Sequence, residues 1–215
     1  MMPVMSTTKP RRAPVRRSRR DEYSESTRAA LVNSAIELFA ETGYAATSLD
    51  AIASSSRVTK GALYHHFPGG KKELFGAAFD QIERDVHERL SAVLEADRGT
   101  PWDAAVTALH AFLDMCLEPV YRRVVWQEGP HVMGFGEWWE CEERHSLGLI
   151  ASIIERLMDA GQIVRLPIEP LARTLSGALA SAATAMGVSD EPQRTREDFE
   201  QVIARLLQGL RPADQ

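Results

Sequence analysis

The chain has 215 residues, 44% hydrophobic and 26% charged, enough for two small cores or one continuous helical body. It has no run of about 18 apolar residues to span a membrane, and its arginine-rich start lacks the apolar stretch of a secretion signal, so a cytoplasmic location is expected. Two cysteines, Cys116 and Cys141, set no disulfide framework, and a reducing compartment is the default.

Residues 1–22 form the first segment. The net charge of −5 hides an asymmetry: residues 1–20 hold one Lys and six Arg with no acid, so they carry +7 and leave −12 for the rest. KPRRAPVRRSRR includes Pro10 and Pro14 and almost no apolar residue, so it is expected to be disordered when free. It reads equally well as an arm that follows DNA phosphates or enters a minor groove, and as a solvated leader or residues added by a wrongly chosen start codon.

Residues 23–75 read as a small helical head. A hydroxyl at Thr47-Ser48, just before Leu49, caps a short helix and leaves backbone N–H groups free for a phosphate. Leu49, Ile52 and Ala53 share one face of that helix, which dissolves into the turn-forming Ser54-Ser55-Ser56-Arg57. Thr59 caps a second helix, Lys60 to Phe67, on which Leu63 and Phe67 turn inward and the rest outward. The outward set suits a major groove. Lys60, His65 and His66 can meet phosphates or bases, Tyr64 can donate its hydroxyl, and Gly61-Ala62 lets the backbone approach base edges. Taken singly, a His-His pair is usually solvated surface. The order of small, basic, aromatic and apolar positions is what points to DNA.

At these residues the segment from Thr27 to Leu74 resembles the DNA-binding domain of the tetracycline-repressor (TetR/AcrR) family of bacterial transcriptional regulators. The resemblance is carried, in order, by Thr27-Arg28 through Ala35, Leu38-Phe39, Gly43-Tyr44, the Thr47-Ser48 helix start, Ile52-Ala53, Leu63-Tyr64-His65-His66-Phe67, Lys71 and Glu73-Leu74. Lys71 matches the family's phosphate-contacting lysine. Two departures stand out. Ser56-Arg57 replaces a common Ala-Gly, so a residue with a Cβ takes a turn position usually eased by glycine, and the linker Phe67-Pro68-Gly69-Gly70-Lys71 is one residue longer than the commonest form. The resemblance implies a homodimer on a double-stranded DNA operator, a small-molecule effector, and repression of transcription.

Residues 76–212 are expected to form a helical effector-binding and dimerisation domain. Phe75, Phe79, Ile82, Val86, Leu90 and Val93 recur at three or four residues, predicting one long helix from Lys72 to Asp97 that joins head to body. Gly99-Thr100-Pro101 breaks it. Helical patterns follow at Trp102 to Leu117, Pro119 to Gln127, Glu137 to Ala160, Glu169 to Met186 and Arg194 to Gly209, with an irregular glycine-rich link expected between Gly129 and Gly136. Period-two alternation persists nowhere, so the fold class is all-α: a three-helix head, a long connecting helix and a bundle.

Trp102, Phe112, Met115, Trp126, His131, Met133, Trp138 and Trp139 all lie in the body and form a candidate cavity lining, although any one of them serves equally as core filling. Small residues between Ser176 and Ala185, and the stripe Phe199, Val202, Ile203, Leu206, Leu207 and Leu210, suit a four-helix contact about a two-fold axis, as the homodimer requires. Three other functions compete. Glu128-x-x-His131 and Glu142-x-x-His145 have the spacing used by di-iron bundles, but Gly129-Pro130 spoils the first; Cys116 and Cys141 offer metal or redox sensing; and a constitutive architectural DNA binder would lack an effector. No enzyme activity, metal site or cofactor is assigned.

Overall fold

The computed structural model describes residues 19–212, and its regular structure among these is helical throughout. The expected tail lies outside the described residues up to position 18, while its last four residues already belong to α1, Arg19–Thr42. The head continues with α2, Leu49–Ser55, and α3, Lys60–His66. The connecting helix is α4, Gly70–Ala96, started by Glu73, whose carboxylate accepts from the Gly69 N–H at 2.6 Å. After it comes α5, Pro101–Met115, which opens with a reciprocal capping box between Thr100 and Asp103.

Next the chain departs from the expected pattern. The segment read as a plain helix is a π-helix, Tyr121–Glu128, and it runs straight into α6, Gly129–Met133. The irregular link expected from Gly129 to Gly136 is therefore helical as far as Met133. The break is confined to Gly134, whose φ of 91° suits a residue without a Cβ. Pro130 sits in the first turn of α6, directly after the π-helix. The bundle is completed by α7, Phe135–Asp159, α8, Ile168–Val188, and α9, Pro192–Gln208.

One hydrophobic core runs from head to body. Leu31, Phe39, Ile52, Leu63 and Phe67 pack with Leu74, Phe75 and Phe79 of α4, and the same cluster continues through Val86 to Phe112, Trp126 and Met186. The boundary expected at residue 75 thus falls inside a helix, with no linker between the two parts. A second cluster, Ile154, Leu157, Met158, Ile163 and Ala172, closes the far end of the bundle. Polar pins complete the frame: Arg196 Nε to Asp114 at 2.7 Å joins α9 to α5, and Arg173 to Glu143 at 2.5 Å joins α8 to α7. Among the described residues no helix is long and apolar enough to cross a membrane.

Candidate nucleic-acid interface and effector cavity

The two hydroxyls before α2 have separate fates. Ser48 is the cap, its Oγ accepting from the Ala51 N–H at 3.1 Å, whereas Thr47 is buried and its Oγ1 donates to the Gly43 carbonyl at 2.7 Å. Thr59 caps α3 by accepting from the Ala62 N–H at 3.3 Å. In the turn between the helices, Arg57 has φ of 56°, the only positive φ of a non-glycine residue among those described. This is the position where the resemblance led one to expect glycine.

Leu63 and Phe67 are fully inward, and the opposite face of α3 is open. Lys60, Gly61, Tyr64 and His65 are exposed; Ala62 and His66 are half-buried. A Cβ built on Gly61 would meet nothing within 4 Å, so this is a surface a partner backbone can approach closely. Lys60 Nζ pairs with Asp50 at 2.7 Å across the turn, and the hydrogen bond to Asp50 raises its pKa. Burial, then the neighbouring His65 and Arg28, lower the pKa of His66 and hold it neutral at neutral pH. Lys71 is half-buried and turned into the head: its Nζ donates to the carbonyls of Tyr44 at 2.7 Å and Thr47 at 2.8 Å and lies 4.3 Å from the Tyr44 ring centroid.

Head and body are latched at a second point besides α4. Both oxygens of Glu128, at the end of the π-helix, accept from the Tyr44 N–H at 2.9 Å. Arg123 of the same element donates to the carbonyls of Ala40 and Glu41 at 3.2 and 3.0 Å, capping the C-terminal turn of α1 with a cation. Gly43, with φ of 85°, admits this contact, since a Cβ there would lie 2.7 Å from a Glu128 oxygen.

Inside the bundle is a cavity of about 130 Å³, close to the ~150 Å³ engineered apolar void that takes up benzene. Its walls are apolar: Leu90 of α4, Trp102, Leu109 and Phe112 of α5, Leu149 and Ile153 of α7, Leu179 of α8, and Ile203 and Leu207 of α9. Its polar lining comprises Glu83 and His87 of α4, Tyr121 of the π-helix, Glu142, His145 and Ser146 of α7, and Ser176 of α8. Glu83 and Glu142 are buried, at 3% and 4% exposure. Burial pushes the Glu83 carboxyl up to about 8, with Glu142 adding to the rise and the Tyr121 hydroxyl opposing it; burial pushes Glu142 up to about 7. A second, more polar hollow is lined by Arg122, Trp126, His131, Phe135, Trp138 and Asp190, among others.

Residues 31–78 match the family described as bacterial regulatory proteins, tetR family, and residues 102–210 match the tetracyclin repressor-like C-terminal domain, which alone spans half of the chain. The chain belongs to the TetR family of bacterial transcriptional regulators. A solved TetR-family transcriptional regulator from Pectobacterium atrosepticum superimposes with a TM-score of 0.81 at 32% identity, over 93% of this chain and 100% of that one. The TetC protein of transposon Tn10 from Escherichia coli is 29% identical over 161 residues, 75% of this chain and 80% of TetC. A transcriptional repressor of Mycobacterium tuberculosis is 40% identical over 73 residues, 34% of this chain and 38% of the repressor. This TetR-family chain is thus a DNA-binding regulator.

Within the regulator, the expected cavity residues divide. Trp102 and Phe112 line the apolar cavity; Trp126, His131 and Trp138 line the other hollow; Met115, Met133 and Trp139 line neither. Three of the tryptophans also pack on one another, with Trp138 set 5.7 Å from Trp126 and 5.9 Å from Trp139, and its Nε1 donating to the Val125 carbonyl at 3.0 Å. Sequence reasoning missed Glu83, Ser146 and Ser176 as cavity lining. Glu83 was legible in principle as an acid between the apolar positions Phe79, Ile82 and Val86. The Glu-x-x-His pairs are also split apart, since Glu128 serves the head latch while Glu142 faces the cavity. Among the described residues no three His, Cys, Asp or Glu side chains group as metal ligands. Cys116 and Cys141 are both buried, and burial raises both thiols, which favours the unreactive protonated form.

Proposed function

We propose that this regulator acts in the cytoplasm as a homodimeric repressor, reading a two-fold double-stranded operator through α3, and that a small molecule in the α4–α5–α7 cavity releases it. Lys60, Gly61, Ala62, Tyr64 and His65 would face the groove, with the N-terminus of α2 at Ser48 seating a phosphate. Thr47, His66 and Lys71 would act from behind, shaping the turn and the helix rather than touching bases. The two-fold partner would pack on α8 and α9, where Val188, Val202 and Leu206 stand exposed.

The observation that supports release is the continuity of α4. Its first half carries Leu74, Phe75, Ala78 and Phe79 of the head core, and its second half carries Glu83, Val86, His87 and Leu90 of the cavity wall. A molecule that displaces the second half must carry the first half and α3 with it, because close-packed elements shift between discrete arrangements instead of deforming. A coupling of roughly 1–3 kcal/mol would weaken operator binding ~5–150-fold. Fluorescence anisotropy on the DNA flanking its own gene, at near-physiological salt with scrambled DNA as competitor, tests the reading. Binding that survives the competitor and is reversed by a small molecule is the expected result. Binding that the competitor removes would instead favour a constitutive architectural protein.

A further inference from the structure

The polar end of the cavity is acidic and unmatched. No lysine or arginine stands among its lining residues. Glu83 Oε1 is buried and has no hydrogen-bond partner. Glu142 accepts from the Ser146 hydroxyl at 3.2 Å, and that hydroxyl lies 3.4 Å from Ser176 Oγ. The two histidines are engaged elsewhere: His145 Nε2 lies 3.4 Å from Asp80 Oδ1, and His87 Nδ1 lies 3.2 Å from the His145 carbonyl. Two carboxyls in an apolar chamber without a cation are a costly arrangement that a packed hydrophobic pair would avoid.

We propose that the effector is an organic cation, whose charged nitrogen sits between Glu83 and Glu142 while an apolar or aromatic body packs on Trp102, Phe112 and Leu149. This rests on reading the cavity as the effector site. The recognition chemistry is ion pairing in a low-dielectric pocket, reinforced by the faces of Tyr121 and Phe112. A neutral molecule of the same shape would gain the apolar contacts but leave Glu83 Oε1 unpartnered.

The two carboxyls hold protons that a cation would displace. With Glu83 near 8 and Glu142 near 7, the pair carries at least one proton at neutral pH. Around the pair stand Asp80 and His87 on α4, Cys116 after α5, Tyr121, and Glu143 and His145 on α7; α8 offers only the Ser176 hydroxyl and α9 only apolar residues to the cavity. As a permanent cation enters, a carboxyl O–H gives its proton to water and the carboxylate pairs with the ligand, with no covalent bond made to it. Affinity therefore rises with pH until both carboxyls are ionised.

Isothermal titration of the full chain with aryl-alkyl trimethylammonium ions of graded size tests this, each set against its neutral tert-butyl isostere and a matching aryl-alkyl carboxylate. Runs at about pH 6 and about pH 8.5, in buffers of different ionisation heat, count the protons released. The expected preference for the cation over its neutral isostere is ~10-fold or more at the higher pH, with proton release near neutrality. Glu83→Gln and Glu142→Gln, which remove a buried charge and should not impair folding, are expected to keep the neutral binding and lose the preference. Equal binding of cation and isostere, a preference that survives both substitutions, or failure of every cation to bind overturns the proposal. The operator complex separates this idea from the release reading. A preferred cation that leaves DNA bound sinks release but not the ligand class, whereas release by neutral or acidic molecules alone sinks the ligand class but not release.

Discussion

Arg57 holds a left-handed backbone that costs an L-residue about 1–2 kcal/mol, and the only other positive φ values described belong to glycines. Arg57→Gly should raise the melting temperature by ~2–4 °C, the net of relieved strain and added chain entropy. A fall on thermal unfolding would mean that Arg57 makes contacts worth more than the strain. Glu83 gives a pH-dependent counterpart. Its folded pKa of about 8 lies above the usual 4.5, so the folded chain keeps a proton that the unfolded chain has lost. Stability therefore declines as pH rises from about 4.5 to about 8, and the full penalty stands above that range. Glu83→Gln should raise the melting temperature by ~5 °C near pH 8.5 and by much less near pH 5; an equal shift at both would show that charge is not the cause. Single residues were also where sequence reasoning was least able to choose. Thr47 and Ser48 are adjacent hydroxyls of similar capping ability, and only packing decides that Ser48 caps while Thr47 turns in.

At the scale of elements, the helix periods, breaks and caps were legible because they depend on neighbours within a turn: Thr59 before Lys60, Thr100-Pro101 before α5, and Pro68 after α3. The π-helix was not, since the stripe of Tyr121, Val124 and Val125 suits an α-helix equally well. Its register matters because it presents Arg123 and Glu128 together to the end of α1. Glu128→Ala should destabilise the chain by ~1–3 kcal/mol, the cost of leaving the Tyr44 N–H unmet, and should speed amide exchange across residues 43–48. Unchanged exchange would make the latch incidental. On α3, Tyr64→Phe and Lys60→Ala should weaken operator binding while leaving helicity intact, and Lys60→Ala should lower the salt slope by about 0.9, one phosphate's worth. Unaltered affinity in both would remove α3 from the interface.

For the whole molecule, a core shared from Phe39 through Phe75 and Phe79 to Phe112 ties head and body into one unit. The exposed apolar residues of α8 and α9 then have a global role: Val188, Val202 and Leu206 are 76, 57 and 56% exposed in the single chain. Leu206→Glu should give a helical monomer in sedimentation velocity, with operator affinity reduced because half-sites are no longer read together. A variant that stays dimeric would move the interface elsewhere.

Sequence alone determined the all-α class, the order of helices, the DNA-reading head and the family resemblance, because each rests on local periodicity, capping chemistry or short motifs. It also located the unusual Arg57 turn, where a Cβ replaces a common glycine. Only the tertiary structure decided which face each residue keeps. It divided the expected aromatic lining between two separate hollows, turned Lys71 toward carbonyls in the head, and brought Glu83 and Glu142, 59 positions apart, to one apolar chamber. Those outcomes depend on contacts between distant helices, for which an amphipathic stripe specifies that a face is buried but not what it is buried against.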